Sequence, residues 1–172
     1  MAERDDRLAP DRKILSRKDA IARFGAGRAG RLVFTNGCFD LLHRGHVELL
    51  LWARLQGDAL VVGLNSDRSV RRLKGEGRPL VPGEDRAFIL AALAAVDAVV
   101  LFDEDTPLEL ITALQPDVLV KGSEYAPDQV VGREVVESRG GKVALFPRVP
   151  GRSTSALVER VRQGDAGPEA DP

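Results

Sequence analysis

The chain has 172 residues, 44% hydrophobic and 30% charged, with 25 Lys and Arg against 26 Asp and Glu. That length and balance describe one globular domain with a sizeable core, neither two domains nor a disordered chain. A net charge of −1 excludes a general nucleic-acid or anionic-membrane binder, which needs excess cations, and the single Cys38 excludes an internal disulfide or a Cys-built zinc site.

Residues 1–13 are polar and aperiodic and are expected to form a flexible arm. The tail 164–172 reads the same way, which leaves one domain over 14–163. The N-terminus lacks the apolar stretch of a signal peptide, and no run approaches the ~20 apolar residues of a membrane helix, so a cytoplasmic location is expected. Ser16 with Asp19 three residues on predicts a capped helix over 16–24. Five apolar runs then predict strands: LVFTN (32–36), ALVVGLN (59–65), DAVVLF (97–102), DVLVK (117–121) and KVALF (142–146). Their near-continuous Val, Leu and Phe content suits strands covered on both faces. Segments 46–56, 84–95, 106–114, 132–139 and 153–162 have helical period, and Thr106 before Pro107 reads as a cap followed by a first-turn proline. The alternation predicts a single-domain, doubly wound α/β fold, a Rossmann-like parallel sheet of five strands. Ligands of such sheets lie beyond the C-terminal strand ends, where strand order reverses.

Gly25-Ala26-Gly27-Arg28-Ala29-Gly30 spells G-x-G-x-x-G, but it follows a predicted helix and precedes the first strand. The dinucleotide fingerprint works the other way round, after a strand and into a helix, so this segment is read as a helix stop and linker. No Walker-type G-x-x-x-x-G-K-[ST] occurs.

The informative stretch is Thr35-Asn36-Gly37-Cys38-Phe39-Asp40-Leu41-Leu42-His43-Arg44-Gly45-His46, after the first strand and into a helix. The protein's two histidines are both here, three apart at a helix entrance and therefore on one side of it. Gly45 between them lets a ligand approach the backbone. Free amides and the partial positive charge of the helix start suit phosphate. H-x-x-H is also half a metal site, but with Cys38 the one other His or Cys in the chain, no four-ligand His/Cys zinc set can be completed. A serine hydrolase is excluded by the lack of a G-x-S-x-G elbow. Phosphate binding is the reading that remains.

The segment FTNGCFDLLHRGHVELL resembles the signature of the cytidylyltransferase-like nucleotidyltransferases, with HRGH as their H-x-G-H motif. The stretch LVVGLNSDRSVRRLKGEGRPLVPGEDRAFILAALAAVDAVVLFDEDTPLELITALQPDVLVKG, with GRSTSALVERV near the end, resembles more narrowly the adenylyltransferases that make ADP-heptose. The resemblance covers about residues 30–162. It implies a sugar-1-phosphate oxygen attacking the α-phosphorus of ATP, Mg2+ with the nucleotide, a separate heptose kinase and a phosphatase in the pathway, and a homodimer.

The resemblance also assigns residues. His43 and His46 would hold the triphosphate, with His46 nearest the α-phosphate and protonated beside it. Thr35 and the turn of Asn36, Gly37, Phe39 and Gly45 would contact phosphate. Lys74 would reach the transferring phosphates, a reading preferred over one more charge on a solvated helix; Arg68, Arg71 and Arg72 are read as solvated. Arg86 would position nucleotide or the Lys74 loop. Lys121 and Gly122 would lie near base or sugar, and Ser153, Thr154 and Ser155 near the outer phosphates. Asp40 would orient the first turn or bind acceptor. The acidic run Asp103-Glu104-Asp105 reads as a solvated loop and not as a metal site. Arg148 matches the arginine in the R-T-E-G-I-S-T-T element of glycerol-3-phosphate cytidylyltransferases. It would contact substrate, and it leaves CTP with an alcohol phosphate as the alternative. A nucleotide-binding regulatory domain without catalysis is the third possibility.

Overall fold

The structure, a computed structural model, describes residues 9–147 and 154–163. The five apolar runs form β1 (Leu32–Gly37), β2 (Ala59–Asn65), β3 (Ala98–Phe102), β4 (Val118–Gly122) and β5 (Lys142–Phe146). They pair in parallel in the order β3-β2-β1-β4-β5. Phe34 at the centre of β1 lies opposite Val61 on one side and Leu119 on the other.

Alternate residues of each strand enter two separate cores, which is why the runs are continuously apolar. On one face Leu32, Phe34, Val61 and Leu119 pack against Ala20 and Phe24 of α1 (Arg17–Phe24) and Leu110, Ile111 and Leu114 of α5 (Leu108–Leu114). Val136 of α6 (Arg133–Glu137) closes that side. On the other face Val33, Leu60, Val62 and Val120 meet Leu50 and Ala53 of α2 (Arg44–Arg54) and Ala87, Leu90 and Ala91 of α4 (Gly83–Ala92). From β1 the chain winds outward through β2 to β3, then returns to place β4 on β1's other edge. The reversal opens a crevice beyond the C-terminal end of β1.

Several boundaries differ from expectation, each for a local reason. The predicted Ser16 cap forms: its Oγ accepts from Asp19 N. Thr106 does not cap α5; Pro107, at φ −77° and ψ 9°, occupies the N-cap position and the helix begins at Leu108. A helix absent from the periodicity, α3 (Asp67–Lys74), is capped by Ser66 and buries only Ser69 and Val70, so it carries almost no apolar stripe. Pro10–Lys13, expected in the arm, forms a 3-10 turn whose Lys13 Nζ donates to the carbonyls of Leu93 and Val96 at 3.3 and 2.9 Å. Asp97 and Asp117 stand just before their strands, not in them. The G-x-G-x-x-G segment joins α1 to β1 with Gly27 and Gly30 at positive φ, as a helix stop and linker should. The last helix is α7 (Thr154–Gln163). No helix among the described residues is long and apolar enough to cross a membrane.

Candidate active site

β1 ends at Gly37, and the chain turns sharply through Phe39, a non-glycine residue at φ 43°. Such a conformation costs of order 1–3 kcal/mol and persists only where surrounding contacts impose it. Here the Phe39 ring is 7% exposed and meets His46 edge-on, with ring centroids 5.1 Å apart. His43 occupies the N-cap position of α2, and its ring stacks on that of His46 at 3.8 Å and 23°. The two imidazoles thus share one side of the helix entrance, as their spacing predicts.

His46 lines a cleft of about 430 Å3 at the crevice, and His43, stacked on it, does not line that cleft. The floor is Asn36, Gly37, Cys38 and Phe39 from the β1–α2 turn. Lys74 and Arg78 line it with Asn65 from β2, and Lys121, Tyr125 and Gln129 line it from β4 and the segment beyond. Asp105, Thr106 and Pro107 complete the wall.

His46 is pushed down to about 4, first by burial, then by His43 and Lys74, so the ring is neutral at pH 7. Its Nδ1 is buried with no hydrogen-bond partner. Lys121 Nζ donates to Asn36 Oδ1 at 2.5 Å and lies 5.4 Å from the Tyr125 ring centre; burial pushes it down to about 8. Burial also raises the Cys38 thiol. Lys74 ends α3, before Gly75 at φ 93°. It is exposed and has no ion-pair partner among the described residues.

Other predicted residues serve the scaffold. Thr35, 1% exposed, donates its hydroxyl to Val120 O at 3.0 Å inside the sheet and does not line the cleft. Asp40 faces the cleft wall, but Oδ1 accepts from Leu80 N and Val81 N at 2.7 and 3.0 Å and Oδ2 from Arg78 Nη1 at 2.7 Å. Arg86, 1% exposed, donates to the carbonyls of Cys38, Asn65 and Val81 and pairs with Asp67 at 2.6 Å. It ties the β1–α2 turn to the end of β2 and to the segment before α4; all its bonds are internal, and it does not line the cleft. Gly45 and Gly122 do not line the cleft either; a Cβ on Gly122 would run into the Glu124 carboxylate. Arg68 and Arg72, read as solvated, pair with Asp103, and Arg72 also with Asp105 at 2.9 Å. Glu104 pairs with Arg17. The acidic run is therefore an ion-paired seam between α3, α1 and β3. Arg148 and Ser153 lie outside the described residues, and of Thr154 and Ser155 only the helical backbone is described. Arg78, Cys38, Asn65 and Tyr125 were not predicted. Cys38 lies within the informative stretch itself, while Arg78, Asn65 and Tyr125 belong to no phosphate motif, and only the fold brings them to the mouth of the sheet.

Known proteins share both sequence and fold. The chain is 61% identical over 152 residues to the bifunctional protein HldE of Geotalea uraniireducens, covering 88% of this chain and 31% of that protein. It is 65% identical over 131 residues to HldE of Geobacter sulfurreducens, covering 76% and 27%. The chain thus spans about a third of the length of the curated relatives it matches. Among solved structures, a lipopolysaccharide core biosynthesis protein from Thermoplasma volcanium superposes with TM-score 0.58 at 24% identity, covering 70% of this chain and 98% of that one. A pantoate-beta-alanine ligase from Francisella tularensis superposes with TM-score 0.60 at 17% identity, covering 86% and 72%. A model of the cytidylyltransferase-like family matches residues 34–160, from the middle of β1 into α7. With that match spanning the whole cleft, the chain belongs to the cytidylyltransferase-like family.

Proposed function

We propose that this protein is a nucleotidyltransferase that joins ATP and D-glycero-β-D-manno-heptose 1-phosphate to give ADP-heptose and pyrophosphate. The observation that carries the reading is the stacked imidazole pair at the entrance of α2, with His46 and Lys74 on one cleft at the sheet's reversal point. The likeness to HldE proteins over most of the chain favours heptose and ATP over the glycerol phosphate and CTP alternative.

A sugar-phosphate oxygen attacks the α-phosphorus, the bond to the β-phosphate oxygen breaks, and pyrophosphate leaves with the electron pair. The nucleophile is already an anion, so no general base is required. The protein must instead align two anions and stabilise charge on the α-phosphate as it builds. The first amides of α2 and the His46 ring meet that charge, and a phosphate beside the ring reverses the pKa depression and favours the imidazolium. Lys74, at the end of an exposed helix, supplies a cation able to follow the transferring phosphate.

Mg2+ fits this site as a companion of the nucleotide. No group of three or more His, Cys, Asp or Glu among the described residues could hold a metal, and Mg2+ is commonly held by phosphates plus one or two carboxylates. Asp40 is committed within the protein, and Asp105, 80% exposed on the cleft wall, is paired with Arg72 at 2.9 Å, so Asp105 would hold the ion only by exchanging that partner, and the phosphates themselves would be its main ligands. The ion would supply neutralisation of the outer phosphates.

The substrate requires a kinase and a phosphatase acting earlier on the heptose. A homodimer and a cytoplasmic location complete the proposal, the former checked by light scattering. The deciding assay incubates the protein with each nucleoside triphosphate and a panel of sugar and polyol phosphates while pyrophosphate is measured. Release from ATP with heptose 1-phosphate is expected. Release from CTP with glycerol 3-phosphate but not from ATP overturns the choice of substrates. Tight nucleotide binding with no release from any pair makes the protein a regulatory domain.

A further inference from the structure

The β1–α2 turn divides the cleft, because β1 lies between β2 and β4 in the sheet. On the β4 side stand Lys121 and Tyr125, a lysine tied to Asn36 beneath an aromatic ring. On the β2 side stand Lys74 and Arg78, two cations with no aromatic ring between them. The first environment suits a base or ribose, and the second suits a second anion.

Arg78 is built for that anion. Its side chain is 16% exposed and pairs at 2.7 Å with Asp40, whose side chain is 3% exposed. One edge of the guanidinium is thereby fixed. Nε and Nη2 have no hydrogen-bond partner among the described residues and are not shut away from solvent, in a residue that lines the cleft. A guanidinium held on one edge by a carboxylate leaves a planar donor fork preset for phosphate oxygens. Tethering the segment does not explain it, because Asp40 already accepts from the amides of Leu80 and Val81.

We infer that Arg78, oriented by Asp40, binds the phosphate of the acceptor sugar, with Lys74 between that phosphate and the nucleotide. This rests on the nucleotidyltransferase reading. In-line attack brings the acceptor phosphate to within about 3–3.5 Å of the α-phosphorus, where two anions repel. A fixed cation on the acceptor's far side offsets that repulsion, and Arg78 adjoins Lys74 in the chain on the correct side of the turn. Asp40 acts through Arg78 as a positioning residue.

The test is steady-state kinetics of the full chain with ATP and heptose 1-phosphate, comparing wild type with Arg78→Lys and Arg78→Ala. Both variants should raise KM for the sugar phosphate about tenfold or more, with KM for ATP within about twofold. Millimolar guanidinium should partly restore the acceptor KM of Arg78→Ala. Inorganic phosphate, inhibiting wild type in competition with the sugar phosphate, should inhibit both variants correspondingly less. An unchanged acceptor KM in both variants overturns the inference. So does a joint rise of both KM values with a lower Tm and no guanidinium rescue, which makes Arg78 a tether. No pyrophosphate release by the wild type from any sugar phosphate overturns instead the reading beneath it.

Discussion

Asp40 and His46 sit six positions apart in one turn, yet the fold treats them oppositely. The Asp40 carboxylate is filled by three internal donors, whereas the His46 Nδ1 is left with none. Buried polar atoms are normally satisfied, so the orphan marks the ring as the group kept for chemistry. His46→Ala should lower turnover about 10²-fold or more, the cost of removing one transition-state donor, with little change in Tm; equal loss of both would make the ring structural. The ring also sets a pH dependence. His46 titrates near 4 in the folded, ligand-free protein and near 6.5 when unfolded, so the unfolded chain binds the extra proton between those values. Its contribution to stability is fully present above pH 6.5 and is lost as pH falls toward 4. Thermal melts between pH 7.5 and 4.5 should show this fall, and His46→Gln should flatten it. At this scale His43 and His46 were legible because motif and helix spacing place them, whereas Lys74 was reached only through the family resemblance. Arg78 and Tyr125 were not, because neither belongs to a local pattern that names its neighbours.

Three aspartates at the N-terminal edge of the sheet show what short elements rely on. Asp58 Oδ2 accepts from Arg31 N at 2.7 Å, Asp97 Oδ2 from Leu60 N at 2.8 Å, and Asp117 Oδ2 from Leu32 N at 2.7 Å. Each carboxylate satisfies an amide at or beside the start of the neighbouring strand, where the ladder offers no partner. Arg28 adds a second donor to Asp117 at 2.6 Å and holds that carboxyl below its usual range against the opposing effect of burial. Asp117→Ala should therefore lower stability by about 1–3 kcal/mol, the cost of orphaning a buried donor, without moving either KM; denaturant melts beside the pyrophosphate assay check it. The strands themselves were legible from apolar continuity. Helix α3 was not, since its polar run (Asp67–Lys74) is held by the Ser66 cap and by ion pairs to the Asp103–Asp105 seam. Such partners lie more than thirty residues away, and periodicity does not register them.

Across the whole molecule, tight packing at the centre of the sheet couples core to cleft. A Cβ on Gly63 in β2 would lie 2.7 Å from the Phe34 ring and 3.2 Å from Asn36 Cβ. Gly63→Ala should destabilise by about 1–3 kcal/mol through overpacking, read as a lower denaturant midpoint at unchanged m-value. A wild-type midpoint would mean that Phe34 yields freely. The strand and helix alternation, the parallel sheet and the histidine cradle follow from the amino-acid sequence alone, because hydrophobic period and motif spacing are local properties of the chain. Tertiary structure decided the rest: that Thr35 and Arg86 spend their donors inside the protein, that Asp40 at the cleft wall is filled by internal donors, that the acidic run pairs with arginines, and that Arg78 reaches the cleft that Lys74 also lines. Those outcomes depend on which distant partner a charge or hydroxyl meets once the sheet reverses direction, and burial beside that partner, not residue type, sets whether a polar side chain braces the fold or faces a ligand.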